Sequence, residues 1–157
     1  MDDDDPRAVI FSFLDGLPQT IRTEALLFVV MYAMESGIYK IGSSKPKDAN
    51  DFSKEVEAYL MRSGTAGISA VICAIAAIDL SFENLVSKLD QAEADLAMLT
   101  DRDPENLGFE QLRLSLPMRR RRWEQAWSTW NDLRTTKLAP QRLRGFADNQ
   151  LIPRRQQ

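Results

Sequence analysis

The 157-residue sequence contains no histidine and only one cysteine, and both shortages limit its chemistry. Without histidine, the chain lacks the commonest general base and a common metal ligand. Cys73 has no partner for an intrachain disulfide, and its place in the apolar run 68–78 predicts a buried, unreactive thiol. Glycine-rich phosphate-binding signatures of the Walker or dinucleotide type are missing, as is a nucleophile elbow. We therefore expect no catalytic site, no metal site and no cofactor, and predict that the protein is not an enzyme.

Long hydrophobic runs are also missing. The longest uninterrupted run, residues 25–34, is shorter than the about 20 residues that a membrane-spanning helix needs. Four aspartates at residues 2–5 are opposite in charge to the positive region that opens a signal peptide. We expect a protein without a membrane span that is cytoplasmic or a component of a virion.

What the sequence does contain is a succession of helical patterns. Asp5 and Pro6 are typical of a helix start, where a side-chain cap precedes a residue that needs no amide hydrogen bond. Residues 25–34 are apolar on every side, which is typical of a helix in the centre of a bundle. Residues 65–80 are similar and rich in alanine. These patterns predict an all-α fold, a bundle of four or five main helices.

We expect two parts in the chain. Residues 1–137 form the helical bundle domain, which opens with an acidic N-terminal stub and includes a helix at about 118–136. Residues 138–157 combine arginines with scattered apolar positions, so we expect a basic C-terminal arm there and not a packed helix.

Residues 82–99 carry apolar side chains at alternating steps of three and four, the spacing of a coiled-coil seam. The seam is shorter than three heptads, so packing within the chain is favoured over a dimer zipper. We also expect a homo-oligomer, for which the seam and the apolar residues of the arm are the candidate interface. Those residues are Phe82, Leu85, Leu89, Leu96, Leu99, Phe146 and Leu151.

Charge is divided unevenly along the chain. Residues 1–112 hold 9 basic and 20 acidic residues, a net charge of −11, whereas residues 113–157 hold 11 basic and 3 acidic residues, a net charge of +8. Arginine outnumbers lysine by 14 to 6, and arginine can bind phosphate through two parallel hydrogen bonds. A polyanion such as RNA or DNA suits this basic segment.

The basic segment joins four consecutive arginines to three tryptophans. Pro117 predicts a helix start, which would put the arginines in the first turn, where free amides bind anions. At about 100° per residue, Trp123, Trp127 and Trp130 fall on one stripe, which is either a core face or a stacking platform for bases. The candidate nucleic-acid-binding residues are Arg119, Arg120, Arg121, Arg122, Trp123, Arg134, Arg142 and Arg144.

Three functions compete for this segment. The first is a structural nucleic-acid-binding protein that self-assembles, like a viral nucleocapsid or helical coat subunit, with RNA favoured over DNA. The second is a helical adaptor or inhibitor whose arginines contact an acidic protein partner. Binding to an anionic membrane surface is disfavoured, because few cations follow Arg122 on the polar face. The arginines could instead be solvated, or pair with the acidic body of the chain itself.

Overall fold

The computed structural model describes residues 5–37, 49–62 and 64–151, and every regular element in them is an α-helix. The predicted all-α fold is confirmed, with six helices in these residues against the four or five main ones expected. Residues 2–4 of the acidic stub and residues 152–157 of the basic segment lie outside the described residues. The helices are α1 (Pro6–Asp15), α2 (Gln19–Glu35), α3 (Ala49–Leu60), α4 (Gly64–Arg102), α5 (Leu107–Thr135) and α6 (Pro140–Leu151).

The first helix begins where the sequence predicts. The Asp5 carboxylate caps α1 by accepting a hydrogen bond from the Arg7 amide at 2.9 Å, and Pro6 occupies the first turn. The Arg7 guanidinium donates to the same carboxylate at 2.7 Å and to the backbone carbonyl of Arg62 at 3.1 Å. Burial alone would raise the pKa of Asp5, but the hydrogen bonds and the charge of Arg7 hold it below its ordinary value. Arg7 thereby ties the start of α1 to the segment that follows α3.

The longest helix, α4, is the element on which the others pack. Its 39 residues span about 58 Å, against about 25 Å for the 17 residues of α2. Ala70, Ala74 and Ala77 are fully buried, and their small side chains permit close helix packing along the first half of α4. Residues 65–80 and 81–99, whose patterns differ in the sequence, belong to one continuous helix.

The prediction that the apolar helix α2 lies at the centre of the bundle is wrong. One face of α2 is buried against its neighbours, with Val29 fully covered. Leu27, Met31 and Met34, on the opposite side, are exposed. A helix that is apolar all round has therefore been used as an outer layer over α4.

The first half of α4 is also its most apolar part. Gly67–Arg102 is long and apolar enough to cross a membrane by length and composition, but half of its most apolar window is buried inside the protein. Cys73 lies in this window and is buried, as the sequence predicts. The absence of a membrane span remains a prediction.

The fifth helix begins at Leu107, so the prediction of a helix start at Pro117 is wrong. Asn106 caps α5 by accepting hydrogen bonds from the amides of Gly108 at 2.9 Å and Phe109 at 3.3 Å. Pro117 lies inside the helix, where its missing amide and its ring cost about 3 kcal/mol. Packing on α4 offsets this cost, since the neighbouring Leu116 is buried.

The tryptophan stripe of α5 belongs to the core. Trp130 and Phe82 are fully buried, and their ring centroids lie 4.9 and 6.4 Å from that of Phe13 in α1. Trp123 and Trp127 are half-buried and meet Phe82 edge-on at 6.0 and 5.4 Å. Of the two interpretations that the sequence leaves open, the core face is the one observed.

Residues 140–151 form α6, so the prediction of an arm without a packed helix is wrong for this segment. Leu143 is half-buried against the core, and Leu138, just before α6, is buried. The Phe146 ring lies 5.1 Å from the Arg7 guanidinium carbon, a cation–π contact. Few apolar residues are needed to dock α6, because it rests mainly on α4.

Replacing Trp130 by alanine should lower the free energy of unfolding by about 3–5 kcal/mol, because the ring is fully buried. Trp127→Ala removes the same side chain from a half-buried position on the same helix and should cost clearly less. Urea unfolding followed by circular dichroism measures both. Equal losses at the two positions would contradict the packing described here.

Candidate nucleic-acid interface

The four consecutive arginines lie in the middle of α5 and not at its start. Arg119 is twelve positions beyond Leu107, and the amides around it are bonded within the helix. The prediction that these arginines surround a free, anion-binding helix N-terminus is therefore wrong. Whatever they bind, they bind with their side chains.

Arg120 faces α4 and is paired within the chain. Its guanidinium donates to Glu93 at 2.9 Å and to Asp90 at 2.6 Å. These hydrogen bonds, that to Glu93 first, raise the pKa of the Arg120 guanidinium. Pairing with the acidic body, one of the alternatives that the sequence leaves open, is observed for this arginine.

Arg134 is also engaged inside the protein. It donates to Asp79 of α4 at 2.6 Å, and the other carboxylate oxygen of Asp79 accepts the Trp130 indole N–H at 2.7 Å. Asp79 is about one quarter exposed, so this three-residue contact is only partly open to water. Arg134 therefore stabilises the α4–α5 contact, and a ligand would have to displace Asp79 to reach it.

Arg119, Arg122 and Trp123 meet at a groove of about 470 Å³ between α2, α4 and α5, here named the α2–α4–α5 groove. Lys88 and Glu24, which also line it, pair with each other at 2.9 Å. Arg119 and Arg122 form no ion pair with any residue that the structure describes. The groove is therefore left with two uncompensated positive charges.

Trp123 contributes a wall to this groove. Its indole N–H donates to the Phe82 carbonyl at 3.0 Å, and its ring is stacked on Trp127 with 6.2 Å between centroids. One face and the polar edge of the ring are thus occupied by the protein itself. The predicted binding role of Trp123 is restricted to the part that faces the groove.

A second groove, of about 600 Å³, runs between α1 and α5 and is here named the α1–α5 groove. Arg122 lines this one too, so the two grooves adjoin along α5. Its other cation is Lys137, just beyond the end of α5, and none of its lining residues is acidic. Three polar side chains face the groove and can donate hydrogen bonds: Ser12, Gln125 and Thr129.

Sequence reasoning missed the contribution of Lys137, Gln125 and Thr129. Arg122 and Thr129 are seven positions apart and Gln125 lies between them, so helical spacing places all three on one side of α5. That spacing was visible in the sequence. The participation of α1 was not, because it depends on how α1 crosses α5.

The remaining predicted binding residues lie away from the grooves. Arg121 points outward from α5 and is exposed. Arg142 and Arg144 are exposed on α6, which carries no residue lining either groove. The structure thus brings together Arg119, Arg122 and Trp123, and places the other five predicted residues elsewhere.

The predicted oligomer interface is divided in the same way. Phe82 is fully buried in the chain's own core, so its side chain is not at a subunit surface. The seam packs within the chain as favoured, with Leu85 and Leu89 lining the α2–α4–α5 groove and Leu96 buried. Leu99 is exposed, and Phe146 contacts Arg7. The Leu151 side chain lies outside the described residues.

Within residues 5–37, 49–62 and 64–151, no three cysteine, aspartate or glutamate side chains cluster as metal ligands would. Comparisons of the chain with protein families, with characterised proteins and with solved structures found no match. The geometry of the two grooves is therefore the basis for assigning a function.

Asp79→Ala should lower the free energy of unfolding by about 1–3 kcal/mol, because it leaves the Trp130 indole N–H and the Arg134 guanidinium without their acceptor. Asp90→Ala removes an equivalent charge from an exposed position on α4 and should change stability by less than about 0.5 kcal/mol. Urea unfolding of the two variants tests this difference. A loss at Asp90 as large as that at Asp79 would show that Asp79 has no special role.

Proposed function

We propose that this chain is a structural nucleic-acid-binding protein that covers a single strand and assembles with copies of itself. The strand would follow α5 through the two adjoining grooves, with its phosphates on Arg119, Arg122 and Lys137. The observation that carries the proposal is the α1–α5 groove, whose lining has two cations and no acidic residue.

The spacing of these cations suits a linear polyanion. Arg119 and Lys137 are 18 positions apart, which corresponds to about 25 Å along α5, and Arg122 lies between them. Proteins that bind single strands without sequence preference use a cationic groove that follows the backbone over roughly 4–16 nucleotides. Ser12, Gln125 and Thr129 supply neutral donors for phosphate or sugar oxygens along the same path.

The rest of the surface confines a polyanion to this path. The first 112 residues carry a net charge of −11, and like charge repels phosphate from most of the body. Arg120 and Arg134 are already neutralised by acidic residues of α4. The grooves are where positive charge remains without a nearby carboxylate partner.

A second candidate function is that of an adaptor for an acidic protein. The floor of the α1–α5 groove is apolar, with Val9, Phe13 and Leu133 under a cationic rim. An amphipathic helix with acidic flanks could lie in such a groove. This candidate predicts a defined stoichiometry with one partner and a weaker dependence of affinity on salt than a nucleic acid gives.

The test is fluorescence anisotropy with a labelled single-stranded RNA of about 10–20 nucleotides, a length suited to one such groove. The protein is first freed of nucleic acid at high salt. Three phosphate contacts predict a slope of log affinity against log salt of about −2, at about 0.7 per contact. Arg122→Ala and Lys137→Ala should each weaken binding and make that slope shallower by roughly 0.7–1.

Two control variants accompany this titration. Arg102→Ala removes the same charge from the far end of α4, and Arg120→Ala removes an arginine that is paired within the chain. Both should bind RNA more tightly than Arg122→Ala does. If Arg102→Ala weakens binding as much as Arg122→Ala, net charge and not the groove is responsible. A wild-type protein that binds no RNA at low salt would refute the proposal.

A further inference from the structure

The outer face of α5 carries an apolar stripe that the fold leaves uncovered. Leu107, Leu114 and Met118 are 77%, 68% and 59% exposed, among the most exposed large apolar side chains in the described residues. At about 100° per residue, the three lie within about 40° of one line along the helix. This line is opposite the face that Leu116, Trp123 and Trp130 turn toward α4.

Charges of opposite sign lie at the two ends of the stripe. Glu105 is exposed in the turn just before α5, and Arg121 is exposed one turn beyond Met118 on the same side of the helix. Neither residue forms an ion pair with another described residue. Along α5 the outer face therefore reads acidic, apolar, basic.

We infer that this outer face binds the same face of a second copy of the chain, with the two α5 helices antiparallel. An acidic–apolar–basic order is complementary to itself only when one copy is reversed. Leu114 lies at the middle of the order, nine positions after Glu105 and seven before Arg121. A twofold axis near Leu114 places each Glu105 beside the partner's arginine and each Leu107 near the level of the same residue.

A parallel arrangement fails on charge. It would put Arg121 against Arg121 and Glu105 against Glu105, and like charges across an interface are strongly unfavourable. The antiparallel arrangement makes two equivalent attractive contacts and covers the apolar stripe of both copies. This surface differs from the interface predicted from the sequence, which has Phe82 in the core and Leu89 turned into a groove.

The dimer surface supplies the self-assembly that the proposed function includes, but it rests on different residues. Arg119, Arg122 and Lys137 lie at the grooves on another side of α5, so both copies keep their grooves open. Two grooves in one particle would raise the affinity for a long strand through simultaneous binding.

The test is light scattering of nucleic-acid-free protein over concentrations from about 1 µM to 1 mM, because a surface of this size gives weak association. The wild-type mass should rise with concentration from 17.8 kDa toward twice that value. Leu114→Glu should stay at the monomer mass throughout while keeping the wild-type helical circular dichroism. Met31→Glu, which changes an exposed apolar residue on α2, should dimerise like the wild type.

Charge reversal tests the antiparallel register. Arg121→Glu and Glu105→Arg should each weaken dimerisation by about tenfold or more, and an equimolar mixture of the two variants should form a heterodimer. The double variant, carrying both changes, should dimerise again because the order is only reversed.

Some results would overturn the inference. They are a wild-type protein that is monomeric at every concentration, a dimer that survives Leu114→Glu, and charge variants that fail to rescue one another. Because no nucleic acid is present, these results leave the RNA titration unaffected, and failure of RNA binding would leave the dimer unaffected.

Discussion

Trp130 is fully buried between α4 and α1, and its indole N–H shares the Asp79 carboxylate with the Arg134 guanidinium. This contact fixes the rotation of α5 about its own axis. Once the tryptophan face turns inward, the period of the helix decides the direction of every other side chain on it. Arg120 faces the acidic side of α4, Arg119 and Arg122 face the grooves, and Arg121 points to solvent.

Four consecutive arginines therefore do not act as one basic patch. One is neutralised by Asp90 and Glu93, two line the grooves, and one lies beyond the end of the apolar stripe. The unequal charge of the two parts of the chain is reduced where they touch, because α5 packs along α4. What remains is a narrow cationic path along one side of α5 and a self-complementary face along another.

The helical fold could be predicted because it depends on local periodicity and capping, as at Asp5 and Pro6. The helix boundary at Pro117 could not, because the interior proline is tolerated only through packing of Leu116 and its neighbours on α4. The exposed side of α2 and the docking of α6 likewise depend on contacts distant in sequence. Arg119, Arg122 and Trp123 were predicted as binding residues from composition, whereas their separation from Arg120 and Arg134 needed the acidic partners on α4.

The cationic path along α5 is the central claim, and the state of the purified protein tests it most directly. Size-exclusion chromatography with light scattering and the ratio of absorbance at 260 and 280 nm would be measured after purification at low and at high salt. The account predicts nuclease-sensitive material bound at low salt and lost at high salt, since phosphate contacts weaken steeply with ionic strength. A protein free of nucleic acid under both conditions would contradict it.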